Sequence, residues 1–327
     1  MLTLRTTIAP LSAFGTVPKG DTLFGQLCWA VRNHLGDDSL RSLLEGYTAG
    51  KPFAVVSDAF PAGHLPRPVL PGHWFETLPG ADRKEVKKRF WLPVERLGEP
   101  LQIWLRYCRK EGDVAGDPAR PRLEPQPHNA IDRRTGTTGE GFAPYAMTQY
   151  WYDQRDTSRK ARVDARLDIY VVLDDKRLAP DELKQLVLAI GELGFGRDAS
   201  IGLGKFRVET FVQASLPAQP GADAWVTLAP CAPQGLDLDS QRSFYQVFTR
   251  FGRHGDVAVH TGRPFKTPVL LAQTAAVLVP RQYQEQPFLG RGLGGDGSMS
   301  KAVPETVHQG YAPVVGIRLP MPKEAVT

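Results

Sequence analysis

The amino-acid sequence predicts an α+β protein whose elements follow the order strand, helix, strands, helix, strand. Residues 180–193 repeat apolar side chains at three- and four-residue steps, which is typical of an amphipathic helix. Residues 167–173 and 206–212 are instead rich in β-branched and aromatic side chains, which favours strands. Since a helical period lies between two strand-like segments, both kinds of element are expected in one domain.

Each element has its own local signal. The predicted elements, in chain order, are a strand at 2–9, a helix from Asp21 to about Leu35, strands at 53–57 and 101–105, a strand at 167–173, a helix at 180–193 and a strand at 205–212. With the long insertions set aside, this order is that of ferredoxin-like and RRM-like folds. We therefore expect residues 1–215 to form an RRM-like domain with insertions.

A second, irregular unit is expected at residues 223–322. Its strand candidates are 224–229, 268–279 and 313–319. We interpret this unit as a degenerate ferredoxin-like domain.

Composition narrows the classes of function. The 327 residues include 40 Lys and Arg and 35 Asp and Glu, a net charge of +5 that mildly favours an anionic partner. The three cysteines are far apart, which argues against a disulfide framework or a zinc ribbon and fits a reducing compartment. The longest apolar stretch, 269–279, is too short to cross a bilayer, so no membrane partner and a cytoplasmic location are expected.

The most informative motif is a run of glycines at residues 194–204. Its first six residues match a variant of the dinucleotide-binding fingerprint, but that fingerprint needs a strand before the glycines and a helix after them. Here the order is inverted, so a dinucleotide site is not supported. Glycines permit sharp turns and the close approach of a polymer such as an RNA backbone. The predicted RNA-binding residues of this motif are Gly194, Phe195, Gly196, Arg197, Ser200, Gly202, Gly204 and Lys205.

The loop that joins the first strand to the first helix is a second candidate. Exposed amides at a helix N-terminus attract anions, and Lys19 would add a positive charge beside them. Phe14, Thr16 and Lys19 are therefore predicted to contact RNA. In the alternative, Asp21 is only the N-cap and Lys19 is solvated.

A third candidate lies in the long insertion. Arg133, Arg134 and Thr135 suit phosphate contacts, and side chains farther along could wedge against bases. Those further side chains are Phe142, Tyr145, Met147, Tyr150 and Trp151, and a basic run follows at Arg155, Arg159, Lys160, Arg162 and Arg166. The alternative is a surface loop and a solvated basic face without a ligand.

Signals for catalysis are weak. The seven histidines show no metal-ligand spacing and no H-E-x-x-H motif, and the glycine-rich segment 291–301 lacks the ending of a P-loop. His128 or His260 could serve as a general base for RNA cleavage. We expect neither catalytic residues nor a metal, a cofactor or a small-molecule substrate, and residues 56–68 read as a rigid scaffold loop.

Together these motifs resemble the RAMP superfamily of CRISPR proteins. The similarity rests on Phe14-Gly15, on residues 19–25 and 57–61, on Asn129 to Arg133 and on the glycine run. Within the superfamily the chain resembles the Cas5 group, which includes the fourth subunit of the type III-A Csm effector complex.

The resemblance implies a non-catalytic subunit that binds crRNA, holds its 5′ repeat-derived tag and caps the filament of backbone RAMP subunits. It implies contacts with the adjacent backbone RAMP subunit and with the large polymerase-like signalling subunit. It also implies an inserted thumb hairpin at about residues 125–150. Backbone subunits of the superfamily cut RNA with a loop aspartate, which draws attention to Asp58, although members of this group are not expected to cut. A metal-independent endoribonuclease and a scaffold without RNA contact remain the alternatives.

Overall fold

The computed structural model describes most of the chain. The described residues are 1–114, 121–138, 143–152, 154–156, 161–163, 165–255, 259–260 and 262–320. The α-helices are α1 (Gly20–Leu35), α2 (Asp37–Leu44), α3 (Arg83–Lys87), α4 (Trp104–Tyr107) and α5 (Pro180–Leu193). The strands up to the second long helix are β1 (Leu2–Pro10), β2 (Ala54–Val56), β3 (Phe60–Pro61), β4 (His64–Pro66), β5 (Arg89–Pro93), β6 (Arg109–Lys110), β7 (Arg122–His128), β8 (Tyr145–Trp151), β9 (Gln154–Asp156), β10 (Ala161–Val163) and β11 (Leu167–Leu173). The later strands are β12 (Phe206–Gln213), β13 (Ala224–Thr227), β14 (Val247–Arg250), β15 (Val269–Ala272), β16 (Val277–Leu278), β17 (Phe288–Gly290), β18 (Leu293–Gly294), β19 (Val307–His308) and β20 (Tyr311–Ile317).

The first sheet has the strand order β12-β1-β11-β2, and every neighbouring pair is antiparallel. Strand β11 lies in the middle and is buried along its whole length, which explains its almost unbroken apolar sequence. Helices α1 and α5 contact each other and cover one face of the sheet. Leu4, Ile8 and Val31 lie in the core between these layers.

Helix α5 follows its sequence signals closely. It begins at Pro180, whose missing N–H costs nothing in the first turn, and the Glu182 carboxylate accepts a hydrogen bond from the Ala179 N–H at 3.0 Å. Leu183, Leu186 and Ile190 are the buried face. The helix ends at Leu193, and the next residue, Gly194, has a φ of +105° that suits glycine and starts the glycine run.

The insertions form small sheets of their own. Strands β4, β5 and β6 make a three-stranded sheet, and β7 and β8 make an extended two-stranded hairpin from the pair Arg122–Trp151 to the pair His128–Tyr145. This hairpin lies within the region where the resemblance implies a thumb. The wedge candidate Phe142 and the basic residues Arg159 and Lys160 lie outside the described residues.

The second unit is built on a sheet of order β16-β13-β20-β17, and its described residues contain no α-helix. Its core is continuous with that of the first unit. Val226 and Ile317 pack in one cluster with Trp91 and Trp104 of the insertions, and Tyr311 joins the core of the first sheet.

Two strand expectations need correction. Residues 101–105 form a 3-10 turn at Leu101–Ile103 and then enter α4, so they are helical rather than extended. The segment 268–279 is interrupted, because β15 and β16 are separated by a turn in which Ala275 has a φ of +69°. The mixed α/β class with antiparallel sheets agrees with the prediction. Among the described residues, no helix combines the length and the hydropathy that a membrane crossing requires.

Candidate nucleic-acid interface

Three segments meet beside the first sheet. They are the loop after β1, the glycine loop (residues 194–204) and the hairpin of β7 and β8. The N–H groups of Phe14 and Tyr150 each donate to the other residue's carbonyl at 2.9 Å, which ties the β1 loop to the base of the hairpin. The Arg197 N–H donates to Thr16 Oγ1 at 3.0 Å, and its guanidinium donates to the Thr148 carbonyl. Arg197 therefore connects all three segments.

The glycines of this loop serve internal packing. A Cβ on Gly204, whose φ is +71°, would lie 2.1 Å from the Phe195 carbonyl oxygen, and one on Gly15 would lie 2.2 Å from that of Arg197. A Cβ on Gly196 would lie 2.7 Å from the Thr16 Cβ. Neighbouring atoms of the same chain thus fill the space where a Cβ of Gly196 or Gly204 would lie, and the contact of these residues with RNA stays a prediction. Gly202 differs, since its Cβ position meets nothing within 4 Å.

Two predicted contact residues belong to the core. Phe14 and Phe195 are buried, with ring centroids 6.1 Å apart, and Phe14 also packs edge-on against Tyr152. Their side chains position the two loops and are not available to a ligand in this conformation. Ser200 of the glycine loop and Lys205 directly after it are exposed, and the Lys205 carbonyl accepts from the Leu11 N–H at 2.8 Å.

The far end of the hairpin carries the predicted arginine pair. Residues 132–137 form a tight turn in which the Asp132 carboxylate accepts from the Arg134 N–H at 2.9 Å. Thr135 and Thr137 bond through their hydroxyls. Arg133 and Arg134 are exposed, and no ion pair joins either guanidinium to a residue that the structure describes. The turn therefore presents two adjacent cations to solvent.

The hairpin also exposes apolar side chains. Leu123, Ile131 and Tyr145 are each more than half exposed. Tyr145 stacks on His128 with ring centroids 5.2 Å apart. Tyr150 packs against the core and Trp151 lies under the Arg122 guanidinium, so of the predicted wedge residues that the structure describes Tyr145 projects most fully.

The N-terminus of α1 is already occupied by a carboxylate of the chain. The N-cap residue is Lys19 and its side chain makes no cap hydrogen bond, so the N-cap hypothesis for Asp21 is wrong. The cap comes from Asp58, which accepts from the Gly20 N–H at 2.8 Å, from Lys19 Nζ at 3.0 Å and from the Thr274 hydroxyl at 2.6 Å. Lys19 is thus committed to an ion pair, and the expected anion site is satisfied internally.

The loop that carries Asp58 is fixed on both sides. The N–H of Asp58 donates to the Leu228 carbonyl at 2.8 Å, and the N–H of Ala59 donates to the Pro18 carbonyl at 2.9 Å. Ser57 Oγ accepts from the Tyr170 N–H at 2.8 Å. These contacts fit the interpretation of residues 56–68 as a scaffold loop.

Substituting Asp58 with alanine is expected to destabilise the chain by about 1–3 kcal/mol, because Gly20, Lys19 and Thr274 would lose a shared buried acceptor. Urea unfolding of the purified chain measures this difference. Asp82→Ala is the matched control, since Asp82 caps the short helix α3 from an exposed position through the Lys84 N–H. Equal effects of the two substitutions would contradict the capping role assigned to Asp58.

Asp21 lies one residue into α1 and forms a buried ion pair with the second unit. Its carboxylate accepts from Arg250 Nε at 2.6 Å and from Arg250 Nη2 at 2.8 Å, and His308 Nε2 lies 3.4 Å away. Burial alone would raise the pKa of Asp21, but the hydrogen bonds from Arg250 and the nearby His308 imidazole outweigh it and hold that pKa well below its usual range. Arg250 follows Asp21 by 229 positions, and no local sequence signal points to this pairing.

The remaining motifs are described only in part. Residues 293–308 fold back on themselves, with the Gly295 N–H bonded to the Thr306 carbonyl, and Met299 is buried. Arg166 of the basic run pairs with Glu209 at 2.5 Å. Arg155 and Arg162 lie in β9 and β10, where only the backbone is described. Across the described ranges, no three His, Cys, Asp or Glu side chains are arranged to hold a metal ion.

Comparison with known families gives one match. The sequence model of the RAMP superfamily matches residues 19–207, which is more than half of the chain. The matched range includes α1, the Asp58 loop, the hairpin and the glycine loop. A search of curated proteins finds no significant match.

Solved structures with a similar fold span nearly the whole chain. A chain of the Csm1–Csm4 cassette in complex with cA4 gives a TM-score of 0.59 at 16% identity, and the alignment covers 98% of this chain and 99% of that one. The same cassette with pppApA gives 0.58 at 16% identity with the same coverage. A chain of the Csm3–Csm4 subcomplex of a type III-A CRISPR–Cas interference complex gives 0.55 at 10% identity, covering 96% of this chain and 99% of that one. At these identities the likeness establishes the fold.

Proposed function

The chain belongs to the RAMP superfamily, and on that premise we propose that it is a non-catalytic, crRNA-binding subunit of a type III-A CRISPR effector complex. In this proposal it holds the 5′ repeat-derived tag of the crRNA and caps the filament of backbone RAMP subunits. It contacts the adjacent backbone subunit and the large signalling subunit. The similarity of fold to chains solved together with Csm1 and with Csm3 supports these two protein contacts.

The observation that carries the proposal is the hairpin of β7 and β8 anchored beside the glycine loop. The hairpin holds Arg133 and Arg134 exposed at one end, and Arg197 and Thr16 fix its other end to the body of the protein. Exposed cations suit phosphates, while the exposed Tyr145 ring and the Ile131 side chain suit unstacked bases. We assign this hairpin as the thumb that shapes the guide.

The arrangement of strands supports the finer fold assignment. A β-α-β-β-α-β order with the sheet order β12-β1-β11-β2 is that expected of a ferredoxin-like domain, which we assign to residues 1–215. We assign residues 223–322 to a second, degenerate unit because its sheet is separate although its core adjoins that of the first.

The state of Asp58 favours a subunit that does not cut RNA. A carboxylate that already accepts three hydrogen bonds within the chain has little capacity left for a metal or for a proton from a 2′-hydroxyl. His128 is stacked on Tyr145, and neither it nor His260 has a carboxylate partner among the residues that the structure describes.

The decisive experiment measures binding of the purified chain to a labelled guide RNA with and without its 5′ tag, in Mg²⁺, followed by a denaturing gel. We expect tag-dependent binding, intact RNA and an affinity that falls steeply with salt concentration. Binding that ignores both the tag and the salt would favour the scaffold alternative. A discrete cut would favour the endoribonuclease.

Replacing Arg133 and Arg134 together with alanine is expected to weaken guide binding about tenfold while leaving the folding of the chain unchanged. If both guanidiniums contact phosphates, the plot of log binding constant against log salt concentration should become less steep by about 1.4, because each phosphate contact with a single strand contributes about 0.7 to its slope. Filter binding over a salt series measures both quantities. The control is Arg83→Ala with Lys84→Ala, which removes an exposed cation pair from α3. Equal losses for the two double variants would refute the thumb assignment.

A further inference from the structure

The antiparallel ribbon of β14 and β15 presents a large apolar surface to solvent. Alternate residues of β14 point outward, and Thr249 of β14 is paired with Leu270 of β15. Beyond the ribbon, Arg253 pairs with Phe265. The outer face of the ribbon consists of Tyr245, Val247, Thr249, Phe251, Arg253, Phe265 and Leu270. Phe251 is 75% exposed, Phe265 is 70% exposed and Val247 is 60% exposed. Clustered exposure of this extent marks a surface that another molecule covers.

The inner face of the same ribbon is firmly held. Arg250 pairs with the buried Asp21, Phe248 lies under the Arg250 guanidinium at 4.7 Å, and Leu271 is buried. The apolar outer face is therefore presented by a fixed support, and a partner would not have to order it on binding.

The composition of the outer face favours a protein partner over RNA. Protein interfaces are enriched in aromatic residues and arginine and depleted of lysine, aspartate and glutamate. The outer face has three aromatic rings, one arginine and none of the three depleted types. The aliphatic Val247 and Leu270 side chains have no π face on which a base could stack, but they fit the centre of a protein interface.

A groove continues this surface. Tyr245 forms one wall of an open groove of about 520 Å³, together with Phe244 and with the segment Val69, Leu70 and Pro71. Hot spots of protein interfaces seat an anchor side chain in such a depression. Groove and ribbon together offer both a flat contact area and a place for an anchor.

The charge around the ribbon indicates the chemistry of the partner. Residues 240–284 contain six basic residues and one acidic residue, an excess of five that equals the net charge of the whole chain. Arg242, Arg250 and Arg281 are paired with carboxylates of the chain. Arg253 and Arg263 are exposed and have no ion-pair partner among the described residues. They would meet carboxylates at the rim of a partner surface.

We propose that the outer face of the ribbon is a docking surface for a neighbouring protein whose contact area has an apolar centre and a rim of carboxylates. The inference rests on the proposed function, because it assumes that the chain works inside a protein assembly. The ribbon and the thumb hairpin are separate elements, so protein docking and RNA binding can be lost independently.

The test uses the full chain with Phe251→Ser and Phe265→Ser combined. Its binding to the purified large subunit and to the purified adjacent RAMP subunit is measured by interferometry, beside binding to the tagged guide RNA. We expect the affinity for one of the two subunits to fall about 30-fold or more, as for an aromatic hot spot, with unchanged RNA affinity and unchanged thermal unfolding. Leu193→Ser with Val212→Ser is the control, since these apolar residues of α5 and β12 are 65% and 42% exposed and lie outside both the ribbon and the glycine loop.

Several outcomes would overturn the docking proposal. The first is a variant of Phe251 and Phe265 that binds both subunits as tightly as the wild type does. The second is a wild type that binds neither subunit. The third is a control variant that loses as much affinity as the Phe251 and Phe265 variant. A variant that loses only RNA affinity would assign the ribbon to nucleic acid. Loss of a concentration-dependent dimer of the free chain, seen by light scattering, would assign it to a second copy. The tag-dependence of RNA binding reports separately on the proposed function.

Discussion

Replacing Asp21 with alanine is expected to lower the free energy of unfolding by about 3–5 kcal/mol, the range found when one partner of a buried ion pair is removed. The carboxylate of Asp21 is fully buried and the Arg250 side chain is 18% exposed, so water would compensate little for the charge left on Arg250. The pair joins α1 to β14, so its loss would also weaken the contact between the ribbon and the first unit. Urea unfolding near neutral pH measures the effect.

An exposed pair of the same chemistry serves as the control for Asp21→Ala. Arg281 and Asp237 are 3.1 Å apart and 71% and 80% exposed, so Asp237→Ala should leave the unfolding midpoint unchanged. The pH dependence gives a second check. Because the folded-state pKa of Asp21 is depressed, its stabilisation is complete above the unfolded-state value of about 3.8 and is lost as the pH falls toward the folded-state pKa. A wild-type advantage that persists unchanged in strong acid would contradict this assignment.

Elements with a strong local signal are those that the sequence predicts best. The bounds of β11 and α5 agree with the predicted 167–173 and 180–193, since an unbroken apolar run and a helical period are properties of the segments themselves. Residues 101–105 show the limit of this reasoning. Leu101, Ile103 and Leu105 alternate as in a strand, while Leu101, Trp104 and Leu105 also fit a helical face, and burial of Trp104 in the tertiary core selects the helix.

The site is harder to predict from the sequence, because the residues that make its main contacts are far apart along the chain. The resemblance draws attention to Asp58 without expecting it to cut RNA, and only the fold brings this residue to the N-terminus of α1, 38 positions away. The glycine run predicts sharp turns of the backbone, and its four glycines all have positive φ. Their purpose depends on the neighbours, and it is the carbonyls of Phe195 and Arg197 that fill the space near Gly204 and Gly15.

Gly204→Ala is expected to destabilise the chain by about 3 kcal/mol or more, and Gly202→Ala by about 1–2 kcal/mol. Both glycines have positive φ, +71° at Gly204 and +98° at Gly202, so an alanine at either position would have a strained backbone conformation. Only at Gly204 does the new methyl group also collide with backbone, at 2.1 Å from the Phe195 carbonyl oxygen, and the Phe195 backbone cannot move without breaking the bond from its N–H to the Gly204 carbonyl. Urea unfolding of both variants measures the difference, and equal costs would contradict the packing role.

The same pair of variants separates packing from ligand contact in the glycine loop. A methyl group on Gly202 meets no atom of the chain itself within 4 Å. A loss of guide affinity that exceeds the effect of the lower stability would therefore indicate a clash between this methyl group and the RNA. If the Gly202→Ala variant unfolds at a slightly lower urea concentration but binds the tagged guide normally, the role of the loop is to pack within the chain and to hold Arg197 against the hairpin. A variant that binds several-fold more weakly under conditions where it is fully folded would instead place the RNA backbone against Gly202. In that case RNA binding requires a glycine at position 202, the glycine of this loop whose Cβ position meets no other atom of the chain.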